Sequence, residues 1–500
     1  MSARPYSRRE FSWQKHCMGS WPMRSKQLPP GSHILTSIPG RLDRLPWSGW
    51  HWRVVIALGV TWILDGLEVT VVGAVAGVLG ELDTLHLSET EIGLSASSYL
   101  LGAILGALVF GRLTDRFGRK RLFLVTLAVY LGATLLTACS VGFITFAICR
   151  ALTGAGIGGE YAAINSAIDE LLPARVRGRA DLAINSTYWL GTALGACATL
   201  ILLNPHYLPH AIGWRLVFLL GALLGGAVVL VRRNIPESPR WLLLHGHLEQ
   251  ADRVISAIEK DVELSTGRSL PLCGYSVPIR VKGTVSYSEI VHTLIVRHRR
   301  RSILGLALMI AQAFAYNAIF FTYALVLTHF YRVSADSVGL YLLPFAAGNL
   351  LGPLLLGGLF DSLGRRPMIT ATYGISGILL ILTGWLFAKG ALTATTQTAL
   401  WSGVFFVASA AASSAYLTVS ELFPVELRGM AIALFYAVGT AAGGLMAPGL
   451  FGALIQSGSR NQVFAGYILG GMLMLGAAGV ALALGLSVER QSLEHIAECD

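Results

Sequence analysis

Apolar residues along this chain do not alternate, and they do not recur on a single helical stripe. They run for about 20 residues at a time, the length that crosses roughly 30 Å of hydrocarbon. Twelve such runs predict membrane helices over residues 54–80, 93–112, 121–140, 142–169, 181–203, 212–231, 303–330, 337–360, 367–388, 395–420, 430–456 and 463–487. The longest polar interval, 232–302, separates six runs from six. The expectation is an all-α membrane protein with twelve transmembrane helices in two six-helix bundles, over 51–232 and 303–488. A disordered tail over 1–50, a linker with short helices over 233–302 and a short tail over 489–500 complete it.

Composition strengthens this picture. The 500 residues are 54% hydrophobic and 13% charged, with a mean hydropathy of +0.61, far more apolar than a soluble domain of ordinary usage. The net charge of +10 matters through its placement. With the N-terminus in the cytoplasm, 33 of the 38 Lys and Arg fall in cytoplasmic segments, the exceptions being Arg150, Arg215, Arg332, Lys389 and Arg460. That asymmetry predicts a plasma-membrane protein with both termini cytoplasmic, and it accounts for the charge without nucleic acid. The six cysteines are scattered, with no C-x-x-C and no His cluster beside them, so neither a disulfide framework nor a metal site is expected. No short apolar stretch ends in a small-residue cleavage site near the start, and no cleaved signal peptide is expected.

One stretch, RALTGAGIGGEY at 150–161, admits two readings. Gly154, Gly156 and Gly159 fit the G-x-G-x-x-G of a dinucleotide-binding turn, which requires a strand–turn–helix context. Gly154 and Gly158 also form G-x-x-x-G, which lets membrane helices approach closely. In so apolar a chain the second is expected, and a membrane-bound dehydrogenase is disfavoured.

Two motifs repeat. GRLTDRFGRK at 111–120 returns as GGLFDSLGRR at 357–366, an offset of 246 residues, and ELLPARVRG at 170–178 returns as ELFPVELRG at 421–429, an offset of 251. Together they predict a duplicated six-helix unit, a standard architecture of secondary transporters. With PESPRWL at 236–242, these loops resemble those of the major facilitator superfamily, and within it the sugar porters and related general substrate transporters, over roughly residues 50–490. The resemblance implies a carrier rather than an enzyme, without cofactor, taking a small-molecule substrate through the lipid bilayer with a proton as coupling ion, and working as a monomer.

The candidate residues fall into three groups. At the motif loops, Asp115 and Asp361 are acids where the positive-inside rule asks for none, each beside an arginine able to bridge to a neighbouring helix. The resemblance implies that Asp115, Arg116, Gly118, Arg119, Glu170, Arg177, Asp361, Gly364, Arg365, Glu421 and Arg428 form a cytoplasmic gate of salt bridges. At membrane depth, Asp65 and Glu68 share one face of the first span, and Arg150 and Glu160 lie in the fourth. Each costs at least about 2.5–3.5 kcal/mol at a helix centre unless paired or solvated. Either acid of the first span pairing with Arg150 would neutralise both charges, and protonating the acid would break the pair. The resemblance assigns coupling to Glu68. Glu160 is similar to the acid of anion symporters, and its plainer reading is a structural bridge.

Polar side chains on inner faces are the candidates for substrate contact. Gln312 and Asn317 resemble the sugar-porter Q-x-x-x-x-N, while Asn185 and Asn349 lie where that family carries a glutamine and an asparagine. Trp189 beside Asn185 is a candidate pocket wall. The tenth span departs from the family, with Ser413, Ser414 and Tyr416 in place of its Pro-rich segment and tryptophan. Sugar and organic or aromatic acid therefore both stand as substrate classes. A transporter-like nutrient sensor, which would need a longer signalling tail, is the rival of another class.

Overall fold

A computed structural model describes residues 31–75, 78–232, 235–271, 276–281, 287–320, 322–333, 337–424, 427–486, 491 and 493. The first half contributes α1 (Ile38–Asp43), α2 (Gly49–Val75), α3 (Glu89–Phe117), α4 (Arg119–Ala138), α5 (Phe143–Leu171), α6 (Arg177–Leu202) and α7 (His210–Arg232). Between the halves lie α8 (Pro239–Leu244), α9 (Leu248–Thr266) and α10 (Tyr287–His292). The second half contributes α11 (Arg299–Phe320), α12 (Tyr323–Tyr331), α13 (Val338–Ser362), α14 (Arg365–Ala388), α15 (Ala394–Leu422), α16 (Arg428–Gly439), α17 (Met446–Gln456) and α18 (Arg460–Leu484).

Among the described residues, ten helical spans are long and apolar enough to cross a membrane by composition alone. Helices α5 and α6 are as long, but they carry Arg150, Glu160, Asp169 and Glu170, and Arg177, Arg179 and Asp181. With them the spans number twelve, six on each side of the linker. Two spans are interrupted. Helices α11 and α12 share the seventh, and α16 and α17 share the eleventh, joined by a π-helical turn at Thr440–Gly444.

Close approach within the first bundle depends on missing side chains. A Cβ on Gly158 would lie 2.7 Å from the Ala103 carbonyl carbon, and one on Gly154 would lie 2.9 Å from that of Tyr99. The glycines of α5 therefore seat α3 directly on its backbone, as the G-x-x-x-G reading requires. Gly156 faces the other way, against Tyr130 of α4. The strands among the described residues are β1 (His33–Thr36) and β2 (Val277–Arg280), an antiparallel pair with no βαβ unit.

That pair lies in segments expected as tail and linker. Residues 31–48 differ from a disordered tail: β1 pairs with β2, Ile38, Leu42 and Leu45 are buried, and Arg41 binds both Glu259 and Asp252 of α9. Arg44 adds a second bond to Glu259. Hydrophobic residues at 38, 42 and 45 give this stretch an apolar stripe to bury, which its basic, Pro-rich surroundings conceal. Residues 1–30 lie outside the described residues.

Candidate functional site

Between the two bundles lies a cavity of about 170 Å³. Nine aromatic rings line it: Trp62, Tyr99, Tyr161, Tyr188 and Trp189 from the first half, and Tyr316, Phe320, Tyr416 and Tyr436 from the second. Its polar lining is Asn185, Gln312, Asn317, Ser409, Ser413 and Thr440, with no Asp, Glu, Lys or Arg among the lining residues. Trp189 meets Tyr316 at 5.7 Å and Phe320 at 5.5 Å, joining α6 to α11. Tyr161 meets Tyr436 at 4.7 Å and Tyr416 at 6.1 Å, joining α5 to α16 and α15. Aromatic contact thus joins the halves at this depth, in the stacked, tilted and edge-on arrangements that ring pairs favour.

Five of the six expected contact residues, Asn185, Trp189, Gln312, Asn317 and Tyr416, stand on the cavity wall. Asn349 stands behind it, where its Oδ1 accepts from the Tyr316 hydroxyl at 2.8 Å and its amide donates to the Phe345 carbonyl. Asn349 therefore holds a wall residue in place. The Asn317 amide nitrogen donates to Ala313 of its own helix at 2.7 Å and lies beside the π-turn, where a Cβ on Gly444 would be 3.2 Å from it. Asn185 donates to Asp181, while its own Oδ1 lacks a hydrogen-bond partner. Trp62, Tyr99, Tyr161, Tyr436, Ser409 and Thr440 escaped the sequence reading. Tyr161 and Tyr436 carry the one available signal, a large aromatic within a few residues of a conspicuously small or polar helical face.

The membrane-depth charges lie outside the cavity wall. Arg150 donates to Glu68 in a hydrogen-bonded ion pair, both side chains about 1% exposed. The guanidinium sits 5.0 Å from the Tyr99 ring and 5.7 Å from that of Phe218. Tyr99 also lines the cavity, so a single aromatic ring separates the ion pair from the solute space. Glu68, rather than Asp65, is thus the partner of Arg150. Asp65 is buried within electrostatic reach of Tyr99, Tyr161, Tyr188 and Tyr436. Glu160 is fully buried, and Glu68, Asp65 and Glu160 all lie within electrostatic reach of Tyr130.

At the face carrying both repeated loops, ion pairs knit the halves. Arg119 binds Glu170 at 2.7 Å and Asp115 at 3.4 Å, and Arg365 binds Glu421 at 2.9 Å and Asp361 at 2.9 Å. Across the halves, Arg177 reaches Glu421 at 3.5 Å and Arg428 reaches Glu170 at 3.8 Å. The two aspartates cross as well. Asp115 accepts from the Met430 N–H at 2.9 Å, while Asp361 accepts from Gly178 and Arg179 at 3.2 and 2.7 Å. Each aspartate thereby caps the helix N-terminus of the opposite half, where free N–H groups and the helix dipole favour an anion. Gly178 and Gly429 permit this: a Cβ would collide with Arg365 at the first and lie 2.6 Å from Asp115 at the second. Gly118 and Gly364 turn the chain between helices with φ of +95° and +108°, a region that only glycine enters freely.

Arg116 stands apart, exposed and stacked on Phe117. Four network members were missed. Asp43 pairs with Arg240 and Arg177, and its Oδ1 accepts from the Ala174 N–H. Asp169 lies 3.9 Å from both Arg177 and Arg428. Arg240 also donates to the carbonyls of Asp169 and Glu170. Glu237, between the bundles' spans, accepts the N–H groups of Arg119 and Lys120 that open α4, and burial pushes its carboxyl above the ordinary value despite them. Glu237 and Arg240 both belong to PESPRWL, so that motif's chemistry is legible once its partner is known.

The chain matches the family described as "Sugar (and other) transporter" over residues 53–498. It is 26% identical to the niacin transporter NiaP of Acinetobacter baylyi, covering 91% of this chain and 98% of that one. It is 24% identical to the 4-hydroxybenzoate transporter PcaK of the same organism, covering 89% and 92%. Among solved structures, the proton:xylose symporter XylE bound to 6-bromo-6-deoxy-D-glucose aligns with a TM-score of 0.70 at 20% identity, covering 89% and 98%.

Proposed function

Because the chain belongs to the sugar (and other) transporter family, a family of membrane carriers, we propose that it moves a small ring-shaped polar metabolite, a sugar or related compound, in symport with a proton. The observation that carries this reading is the Glu68–Arg150 pair held one ring behind the cavity by Tyr99. A neutral Glu68 releases Arg150, and the released cation is free to draw on Tyr99 and so to reshape the cavity wall. Protonation and solute binding thus act on one aromatic ring. The solute is held by Asn185, Gln312 and Asn317 between aromatic faces, and the halves then rock about it. On the positive-inside count, the ion-paired face is cytoplasmic and this conformation has the cytoplasmic side shut, with the chain in the plasma membrane as a monomer. Asp65 and Glu160 support the coupling pair electrostatically.

A second reading, symport of an aromatic or other organic acid, has its own observation. The cavity wall offers nine aromatic rings against three amide side chains, a balance suited to a flat ring. Proteoliposomes carrying purified protein, given labelled xylose, nicotinate and 4-hydroxybenzoate under an inward proton gradient, separate the two classes. In the same vesicles Glu68→Gln is expected to abolish gradient-driven accumulation while sparing solute exchange. Undiminished accumulation by that variant refutes the coupling role.

A further inference from the structure

One buried acid takes no part in this scheme. Asp181 of α6 is 0% exposed, and it lies one helical turn beyond Gly178 and one turn before Asn185, so the three share a face. At Gly178 that face meets Arg365 and Asp361 of the gate, and at Asn185 it meets the cavity. Asp181 Oδ2 accepts from the Asn185 amide at 3.1 Å, while Oδ1 has no hydrogen-bond partner.

The charged groups around it come from its own helix and four others. Asp169 of α5, Glu421 of α15 and Arg365 of α14 lie within electrostatic reach. Asp361 of α13 sits one turn below, and Arg177 and Arg179 share its own helix. Helix α2 meets α6 through uncharged Gly59, at Thr187. Three of these groups are acids, and Arg365 is already bound twice to Glu421 and once to Asp361. Arg177 likewise faces Glu421, Asp169 and Asp43. A carboxylate here would have no cation of its own, whereas a carboxylic acid needs none.

Resting on the proton-coupled reading above, we propose that Asp181 is a second proton-carrying residue, positioning Asn185 and linking the cavity to the gate. With the gate shut, the proton sits on Oδ1 and Oδ2 accepts from Asn185. When the halves part, Glu421, Asp361 and Arg365 withdraw with the second bundle, and cytoplasmic water reaches α6. The Oδ1–H bond breaks toward that water, leaving its electron pair on the oxygen. The resulting carboxylate draws the Asn185 amide away from the solute as the cavity faces inward. Because the proton is held more tightly in the shut state, acid favours shut and alkali favours open. A one-unit difference in proton affinity between the states biases the gate about tenfold.

The test uses wild type, D181N, D181E and E68Q in phosphatidylethanolamine–phosphatidylglycerol vesicles. Infrared difference spectra follow the protonated-carboxyl stretch as the pH is raised. One titrating component should be absent from D181N, present in E68Q and shifted in D181E, which serves alone if D181N does not fold. Identical titrations in all the folded proteins overturn the proposal. With labelled xylose and nicotinate as probes, D181N should exchange solute at equal pH but lose about tenfold in maximal net uptake at unchanged KM. Wild-type net uptake, or a change confined to KM, overturns the proposal too. If wild type moves neither probe, the transport reading fails for those solutes while the infrared arm still decides Asp181.

Discussion

At the gate the two halves of the chain are near copies. Asp115 caps α16 as Asp361 caps α6, and Arg119 joins Asp115 to Glu170 as Arg365 joins Asp361 to Glu421. At membrane depth the likeness ends. At the 251-residue offset of the repeated loops, Arg150 corresponds to Trp401 and Glu160 to Ala411. Helix α11 carries Gln312 and Asn317 where α2 carries Asp65 and Glu68. A gate that joins two bodies needs complementary parts on both, so duplication preserves it. An ion pair in hydrocarbon is costly, and the coupling proposed above needs only one. The halves are therefore alike at the ion-paired face and unlike at membrane depth, where the buried Glu68–Arg150 pair belongs to the first half alone while amides reach the cavity from both, Asn185 from the first and Gln312 and Asn317 from the second.

The sharpest way to break this division is Arg150→Ala, which leaves Glu68 buried without its partner. Accumulation should vanish and stability should fall by about 3–5 kcal/mol, read by thermal unfolding in detergent. Combining Glu68→Gln with Arg150→Gln should restore most of the stability and none of the accumulation, since it removes both charges together. Retained accumulation in the double variant would mean that the charge is not confined to this pair.

The gate comparison is sharpened by matched substitutions. Each aspartate faces two backbone N–H groups of the opposite half, Gly178 and Arg179 for Asp361 and Gly429 and Met430 for Asp115, but Asp361 binds Arg365 at 2.9 Å whereas Asp115 lies 3.4 Å from Arg119. Asp361→Asn should therefore weaken closure by about 1–3 kcal/mol, and Asp115→Asn by roughly half as much. Maleimide labelling of a cysteine placed behind the gate measures both, and equal effects would show that the copies are energetically as well as geometrically alike.

The smallest effect concerns a gate accessory without a copy in the other half, the clasp of residues 31–48. Burial alone would raise the Glu259 carboxyl, but hydrogen bonds from Arg41 and Arg44 outweigh it and hold it below the ordinary value. A carboxyl lowered in the folded state stabilises above its unfolded pKa, and the contribution fades as pH falls through the folded value. The hydrogen-exchange protection of residues 31–48, taken relative to the intrinsic exchange rate at each pH, should accordingly fall in acid, and Glu259→Gln should mimic this at neutral pH. The cost is at most about 1 kcal/mol, as for other partly exposed pairs.

Much of this was legible in the sequence, for reasons that differ by region. Span lengths follow from bilayer thickness, and the gate arginines stand in repeated loops, so both could be read without coordinates. Glu68 and Arg150 announced themselves by their cost in lipid. Asp43 and the clasp did not, because their partners lie some 130–220 residues away in sequence and their surroundings are polar. Tyr161 and Tyr436 were hidden for the opposite reason: a tyrosine in a membrane helix is ordinary until another half presents a ring to it. Asn349 showed the limit of matching by position, since the amide stands in the expected place and faces a tyrosine instead of the cavity.

The π-turn at Thr440–Gly444 gives the eleventh span an unusual freedom. Its hydrogen bonds close over five residues rather than four, so the helix stores one residue of slack beside the cavity. Taking up that slack would rotate everything on one side by about 100° relative to the other. Helix α16, which carries Tyr436 at the cavity and Arg428 at the gate, is thereby joined to α17 by a swivel rather than a rigid rod. Rocking of the halves need not drag the outer end of this span with it.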